Sequence, residues 1–263
     1  MPETNYPIAP LTLPIGVPPD RRMNNAQSSW ARGLPRFVDL PECGLGRFGR
    51  AALVSGGPSA LDQIDLIRKF EHVIACGSAG DWLIDQGIVP TYCVIFDPAD
   101  DHARFYKEQM RGVTYLVSST CDPSVFDRLA GCDVRVWHPW DDLPSELYDN
   151  EPRVGGGSTV TLRAIALAHV MGFRELHMFG FDSCYVGGFE HGYPYRQDRP
   201  GVFEVNYNGH IFTTTPQLYQ QAQEFMTLYH DHQHEIAIKV YGEGLVATML
   251  RDSSLVNLEA LDA

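Results

Sequence analysis

No CxxC pair occurs in this chain. Its six cysteines, Cys43, Cys76, Cys93, Cys121, Cys132 and Cys184, fall singly and several sit inside apolar runs, so reduced, buried thiols are expected in place of a zinc site. Basic residues are also short: 20 Lys and Arg stand against 33 Asp and Glu, a formal net charge of −13. That balance excludes a broad nucleic-acid-binding surface, because neutralising phosphates takes clustered cations. No apolar stretch approaches the ~20 residues of a membrane helix, and the N-terminus lacks the charged-then-apolar pattern of a secretory signal. A cytoplasmic protein without a membrane span is the expectation. Neither the Walker ending nor the GxGxxG spacing is present.

What is there is ample core material: 44% of the 263 residues are apolar and 11% aromatic, enough for one main domain with attachments. Prolines crowd the start, as in YPIAPLTLPIGVPPD, and residues 1–47 show neither helical nor strand periodicity, so they read as an extended arm. From 48 to 251 short apolar runs alternate with amphipathic ones. AALVS (51–55), HVIACG (72–77), YCVIFD (92–97), VTYLVSS (113–119), VRVWH (134–138), ELHMFGFD (175–182) and IAIKVY (236–241) read as strands. Segments 59–70, 79–87, 157–172 and 216–234 read as helices, with shorter ones between. Continuous apolar strands suit a sheet covered on both faces, and the short connections favour right-handed parallel crossovers. The fold class is therefore α/β, a doubly wound, mostly parallel sheet. Residues 183–214 break the rhythm with Gly, Tyr and His, and FEVNY and HIFTT flank Asn208-Gly209 as a hairpin. An insertion of this kind reads as a lid. Residues 252–263 are left as a tail.

Open parallel sheets bind ligands where strand ends meet helix N-termini. SGGPS is such a loop: Gly56 and Gly57 would let backbone amides approach an anion, Pro58 presets the first turn, and Ser55 and Ser59 offer hydroxyls. The same glycines would equally permit a tight turn and nothing more. A second cluster, VGGGSTVT, places Gly155, Gly156, Gly157, Ser158 and Thr159 at the head of the long helix. Two such loops on one sheet favour anion binding. Asp97 and Asp182 end strands, where a carboxylate suits Mg²⁺, a ribose or an acceptor hydroxyl, Asp97 being the candidate for metal; Asp100 and Asp101 read as loop and cap residues. His210 and His191 lie in the lid, where an imidazole of ordinary pKa can take a proton from a hydroxyl; His230, His232 and His234 read as solvated. Tyr185, Tyr193 and Tyr195 are candidates to contact a base or a departing phosphate, and Arg163, Arg196 and Arg199 to neutralise one.

Taken in order, SGGPSALDQID, HVIACGSAGDWLIDQGIVPTYCVIFDP and GGGSTVTLRAIALAHVMGFRELHMFGFDSCY resemble the Rossmann-like family that includes the archaeal 6-hydroxymethylpterin diphosphokinase MptE and the Maf flagellin glycosyltransferases. The Campylobacter-type bacterial sialyltransferases share the plan. The resemblance spans roughly 51–250 and implies nucleotide contacts at Gly56 to Ser59, at Cys76, Gly77 and Ser78, and at Gly156 to Thr159. It further implies phosphate assistance from Tyr185 with Tyr193 or Tyr195, and a base at His210, since Gly209-His210 is similar to the Gly-His pair of the sialyltransferases. Where those enzymes carry Asn, this chain has Gly56 and Gly77, which moves the expectation away from CMP-sialic acid as the one donor.

Three readings follow. In the first, a nucleotide-sugar donor, CMP- or UDP-linked, passes its sugar to an acceptor hydroxyl. In the second, ATP with Mg²⁺ donates a diphosphate. In the third, the fold binds nucleotide or partners without turnover. The first is preferred, and homo-oligomerisation is left open.

Overall fold

The unbroken apolar runs VIAC and YCVI are strands buried on both faces. In the computed structural model, which describes residues 16–44, 49–106, 112–148, 151–195 and 201–259, β1 (Gly49–Val54), β2 (Val73–Cys76), β3 (Tyr92–Ile95), β4 (Thr114–Ser118), β5 (Asp133–Pro139), β6 (Arg153–Val154), β7 (Phe173–Phe179) and β10 (Ala237–Val240) form one sheet. Every pairing in it is parallel, and the strand order is β10-β7-β1-β2-β3-β4-β5-β6. The remaining strands, β8 (Phe203–Tyr207) and β9 (His210–Thr214), make the expected antiparallel hairpin. Its turn uses positive φ at Asn208 (48°) and Gly209 (83°), the pairing that lets a two-residue turn match strand twist.

Successive β1 side chains point to opposite faces. Ala51 and Leu53 join a core with α5 (Val160–Val170), α6 (Pro216–His232) and the buried first turns of α7 (Leu245–Glu259). Ala52 and Val54 join a second core with α2 (Ile64–Ile67), α3 (Ala79–Asp85) and α4 (Pro123–Arg128). The sheet is thus doubly wound, as the alternation of runs predicts. Because β1 has β2 on one side and β7 on the other, the chain reverses its direction of travel across the sheet at β1. This reversal opens the crevice in which such folds bind ligands.

Several local expectations are corrected. The amphipathic run 59–70 divides into a 3₁₀ turn over Pro58–Gln63 and the single turn of α2. The long helix starts at Val160, not at 157, since Gly156 and Gly157 take φ of 122° and 123°. Residues 252–259 continue α7. The segment read as an extended arm contains, within its described part, a 13-residue helix, α1 (Pro19–Ala31). The signals were present: Pro19 is pre-organised for a first helical turn, Asp20 suits the positive end, and no Pro or Gly interrupts until Gly33, which takes φ +60° just past the end. The surrounding prolines masked them.

α1 is clamped to the loops after β3, β4 and β5. Asn25 donates to the carbonyls of Pro98 (3.3 Å) and Thr120 (3.0 Å). Buried Arg22 pairs with Asp141 (3.3 Å) and Asp142 (2.7 Å), and Arg21 with Asp100 and Asp122. Trp30 covers His138, their rings 5.5 Å apart. Burial, aided by the charge of Arg36, pulls the His138 imidazole down from 6.5 to about 4. An unfolded chain binds that proton more readily than the folded one between those values, so the stabilising contribution of neutral His138 is present above pH 6.5 and is lost as pH falls toward 4. The melting temperature should therefore drop over this window, and His138→Phe should flatten the drop; an identical acid limb in wild type and variant would show that His138 does not set it.

Candidate functional site

The loop Ser55–Ser59 leaves the carboxyl end of β1 at the reversal point and is pinned to the end of β7. The Ser55 amide donates to Phe179 O (2.8 Å), the Gly57 amide to Gly180 O (2.8 Å) and the Ser59 amide to Asp182 Oδ2 (3.0 Å). A Cβ on Gly57 would lie 2.5 Å from both Asp182 Oδ2 and Gly180 O. Glycine at 57 thus permits the close approach of two strand ends, and a carboxylate of the chain already takes the amide that an external anion would use. Gly56 differs. Its Cβ position faces the insertion, 2.6 Å from His191 Cδ2 and 2.7 Å from the Tyr193 hydroxyl, and its carbonyl accepts from the Gly192 amide (2.9 Å).

The insertion thereby folds onto the rim. Tyr193 shares a hydrogen bond with Ser78 Oγ (2.8 Å), stacks on Trp82 and is half-buried, and the desolvation of its phenol pushes the pKa up. Tyr195 stacks between His191 (3.9 Å) and Phe105 (4.9 Å), and Glu190 Oε1 stands 3.7 Å from His191 Nδ1. Beneath them Ser55 Oγ and Thr161 Oγ1 share a bond (2.8 Å), and the Cys76 thiol that they contact is pushed up to about 12 by burial. Gly77, at φ +55°, turns the chain after β2 and donates its amide to Val94 O (2.8 Å).

Asp182 is 3% exposed. Burial raises its carboxyl, partly opposed by bonds to Ser59, and its Oδ1 has no hydrogen-bond partner among the described residues. Gly242 and Gly244 press against it, a Cβ at 244 falling 2.7 Å from Asp182 Cα. Ser183 follows at φ 53°, left-handed backbone that a non-glycine residue adopts only under constraint.

Residues 39–188 match the family model described as 6-hydroxymethylpterin diphosphokinase MptE-like. The chain belongs to that family. No curated protein matches it. Among solved structures it is similar to a Maf glycosyltransferase from Magnetospirillum magneticum AMB-1, with a TM-score of 0.67 and 20% sequence identity. The match covers 88% of this chain and 38% of that one, so this MptE-like chain spans well under half the length of that neighbour. At such identity the likeness is one of fold, and it agrees with the Rossmann-like sheet described above.

Not every residue singled out from the sequence reaches the rim of this MptE-like fold. His210 is exposed on the β8–β9 hairpin, opposite Tyr207. The neighbouring Asn208 bonds Asp252, seven residues into α7, whereas Asp182 sits at the start of that helix, roughly 10 Å of helix rise away. Tyr185 anchors the insertion through its amide to Thr213 O. At the second glycine loop the Ser158 amide and hydroxyl both donate to Glu224 Oε2 (2.8 and 2.7 Å), so a carboxylate from α6 rests at the positive end of α5. Thr159 is the residue from which α5 starts. Arg163 is buried and spends its guanidinium on the carbonyls of Val154 (2.6 Å) and Trp140 (3.0 Å). Arg196 and Arg199 lie outside the described residues.

Asp97 keeps its place at the end of β3, but one oxygen accepts from the Ala99 amide (2.9 Å) and the other meets His102 Nε2 (3.1 Å), whose Nδ1 meets Asp101 (3.2 Å). Among the described residues no three His, Cys, Asp or Glu side chains gather as metal ligands would. Both oxygens of Asp97 thus already have partners within the chain. His102 and Glu224 were not singled out from sequence; each becomes visible only through a partner distant in the chain or hidden within an acidic run.

Asp182 gives a direct test. A folded-state carboxyl raised above 3.8 favours folding at low pH, and that benefit is lost as pH rises through the folded value. At pH 7, Asp182→Asn should melt no lower than wild type, because an amide oxygen still accepts from Ser59. Asp182→Ala should melt several degrees lower, since a buried N–H without an acceptor costs about 1–3 kcal/mol. Equal losses in both variants would contradict this account.

Proposed function

We propose that the chain is a nucleotide-dependent transferase that moves a sugar from a CMP- or UDP-sugar donor to an acceptor hydroxyl, with His191 as the base. The observation that carries the reading is the packing of His191 on Gly56, which brings a half-buried imidazole to the reversal-point crevice beside the Ser78–Tyr193 pair. His191 takes the proton of the acceptor hydroxyl. The acceptor oxygen then bonds to the anomeric carbon as the bond from that carbon to the donor phosphate breaks, and the leaving nucleotide keeps the electron pair. Backbone dipoles at the strand ends and the Tyr193 hydroxyl offer stabilisation to the developing phosphate charge. Asp182, raised by burial, is assigned to holding the glycine loop and not to proton transfer.

Diphosphate transfer from ATP is the second reading, favoured by the family match, whose namesake is a diphosphokinase. It calls for metal and charge neutralisation at the phosphates, for which Asp97 would have to give up its contacts with the Ala99 amide and His102. No step of the proposed reaction is therefore routed through Mg²⁺.

Melting curves with CMP, UDP, GDP and ATP, each with and without Mg²⁺, should show stabilisation by CMP or UDP, because a ligand that prefers the folded state raises the transition. In a transfer assay with the responding nucleotide's sugar, His191→Ala should lower kcat by about 10²-fold or more, and His210→Ala should change it little. A response confined to ATP with Mg²⁺ replaces the sugar reading with the diphosphate one. No response to any nucleotide leaves a non-catalytic role.

A further inference from the structure

Three side chains, two at the carboxyl ends of β4 and β5 and one on the 3₁₀ turn Ser145–Tyr148 that follows, are buried away from the β1 and β7 crevice with polar atoms that lack hydrogen-bond partners. His138, 4% exposed, has both ring nitrogens without a hydrogen bond, and Ser119, fully buried, its hydroxyl. Tyr148, 1% exposed, has its phenol oxygen without one, and the nearby Asp141 carboxylate acts on that oxygen without closing a hydrogen bond. His138 adjoins the other two. The His138 and Tyr148 rings lie 4.9 Å apart. The register Ser118↔Trp137, continued by the Ser119 amide donating to Trp137 O (2.8 Å), sets Ser119 beside His138 on the same face of the sheet. Trp30 of α1 covers His138.

Burying four such atoms without partners is costly, and native structures rarely do so. The chemistry of the set defines what would satisfy it. A neutral imidazole offers one donor and one acceptor, and a phenol and a serine hydroxyl each offer both. An anion would leave the imidazole acceptor unmet. It would also stand near Asp141, a carboxylate that acts on the Tyr148 phenol and is paired, as Asp142 is, with Arg22. A cation would leave the imidazole N–H donor unmet, as an anion leaves its acceptor unmet. A hydroxyl oxygen, able to donate and accept at once, matches all of them.

We infer that Ser119, His138 and Tyr148 form a closed polar subsite beneath α1 that binds one hydroxyl oxygen, either of a water molecule or of a sugar. This assignment stands apart from the transfer reaction and does not depend on it. Tyr148→Phe and Ser119→Ala in the full chain remove one bonding atom each with little change of shape. In sugar-free buffer a bound water makes each variant melt lower than wild type by about 2–4 °C, and crystals show an oxygen between the three side chains. With a sugar hydroxyl as occupant, 10 mM glucose raises the wild-type melting temperature and not that of Tyr148→Phe, and the difference vanishes without sugar. Variants that melt at or above wild type in both buffers overturn the inference, since replacing an unpaired polar atom by an apolar isostere costs nothing. A drop in melting temperature with no oxygen density between the three side chains overturns it as well.

Discussion

The close contact between the ends of β1 and β7 is the constraint from which the site follows. Two parallel strands that are far apart in sequence meet at the point where the sheet reverses, and their loops are locked by amide-to-carbonyl bonds and by the Asp182 carboxylate on Ser59. Only a residue without a side chain fits at 57, because Gly180 O and Asp182 stand where a Cβ would be. The buried acid shares its space with Gly242 and Gly244, so three loops are held by one carboxylate. That rigidity gives the insertion a fixed floor on which to place His191.

Two coverings then shape access to the strand ends. The insertion lays His191, Tyr193 and Tyr195 over the loops after β1, β2 and β3 through stacking on Trp82 and Phe105. α1 crosses the loops after β3, β4 and β5, held by Asn25, Arg21 and Arg22. Both glycine-rich turns meanwhile satisfy part of their positive potential internally, with Asp182 at the first and Glu224 at the second. On the proposed reading, a donor phosphate would therefore meet a rim whose amides are partly spoken for, and would either use the remaining donors or displace a side chain that is already in place.

The regular part of the fold was readable because its signals are local. The runs VIAC and YCVI are apolar at every position because both faces of the sheet are covered, and the hairpin is marked by Asn208-Gly209, whose positive φ values the turn needs. α1 was missed because prolines around it outweighed the helix-start signal of Pro19 and the stop signal of Gly33. Within the site, the sequence named Gly56, Ser78, Asp182, His191 and Tyr193, which the fold gathers, along with His210, which it leaves on an exposed hairpin. His102 and Glu224 carried no pattern of their own, since a lone imidazole or carboxylate on a polar segment is ordinary.

The sequence by itself determined the layered α/β architecture, the positions of the flexible turns and the residue types available for chemistry, because periodicity and backbone freedom act over a few residues. Only the tertiary structure decided how each was used: that Gly57 serves packing while Gly56 faces an imidazole, that Asp97 is held by His102, and that Ser119, His138 and Tyr148 share one buried space. Those outcomes rest on contacts between segments tens of residues apart, and such contacts exist only once the sheet has set the order of its strands.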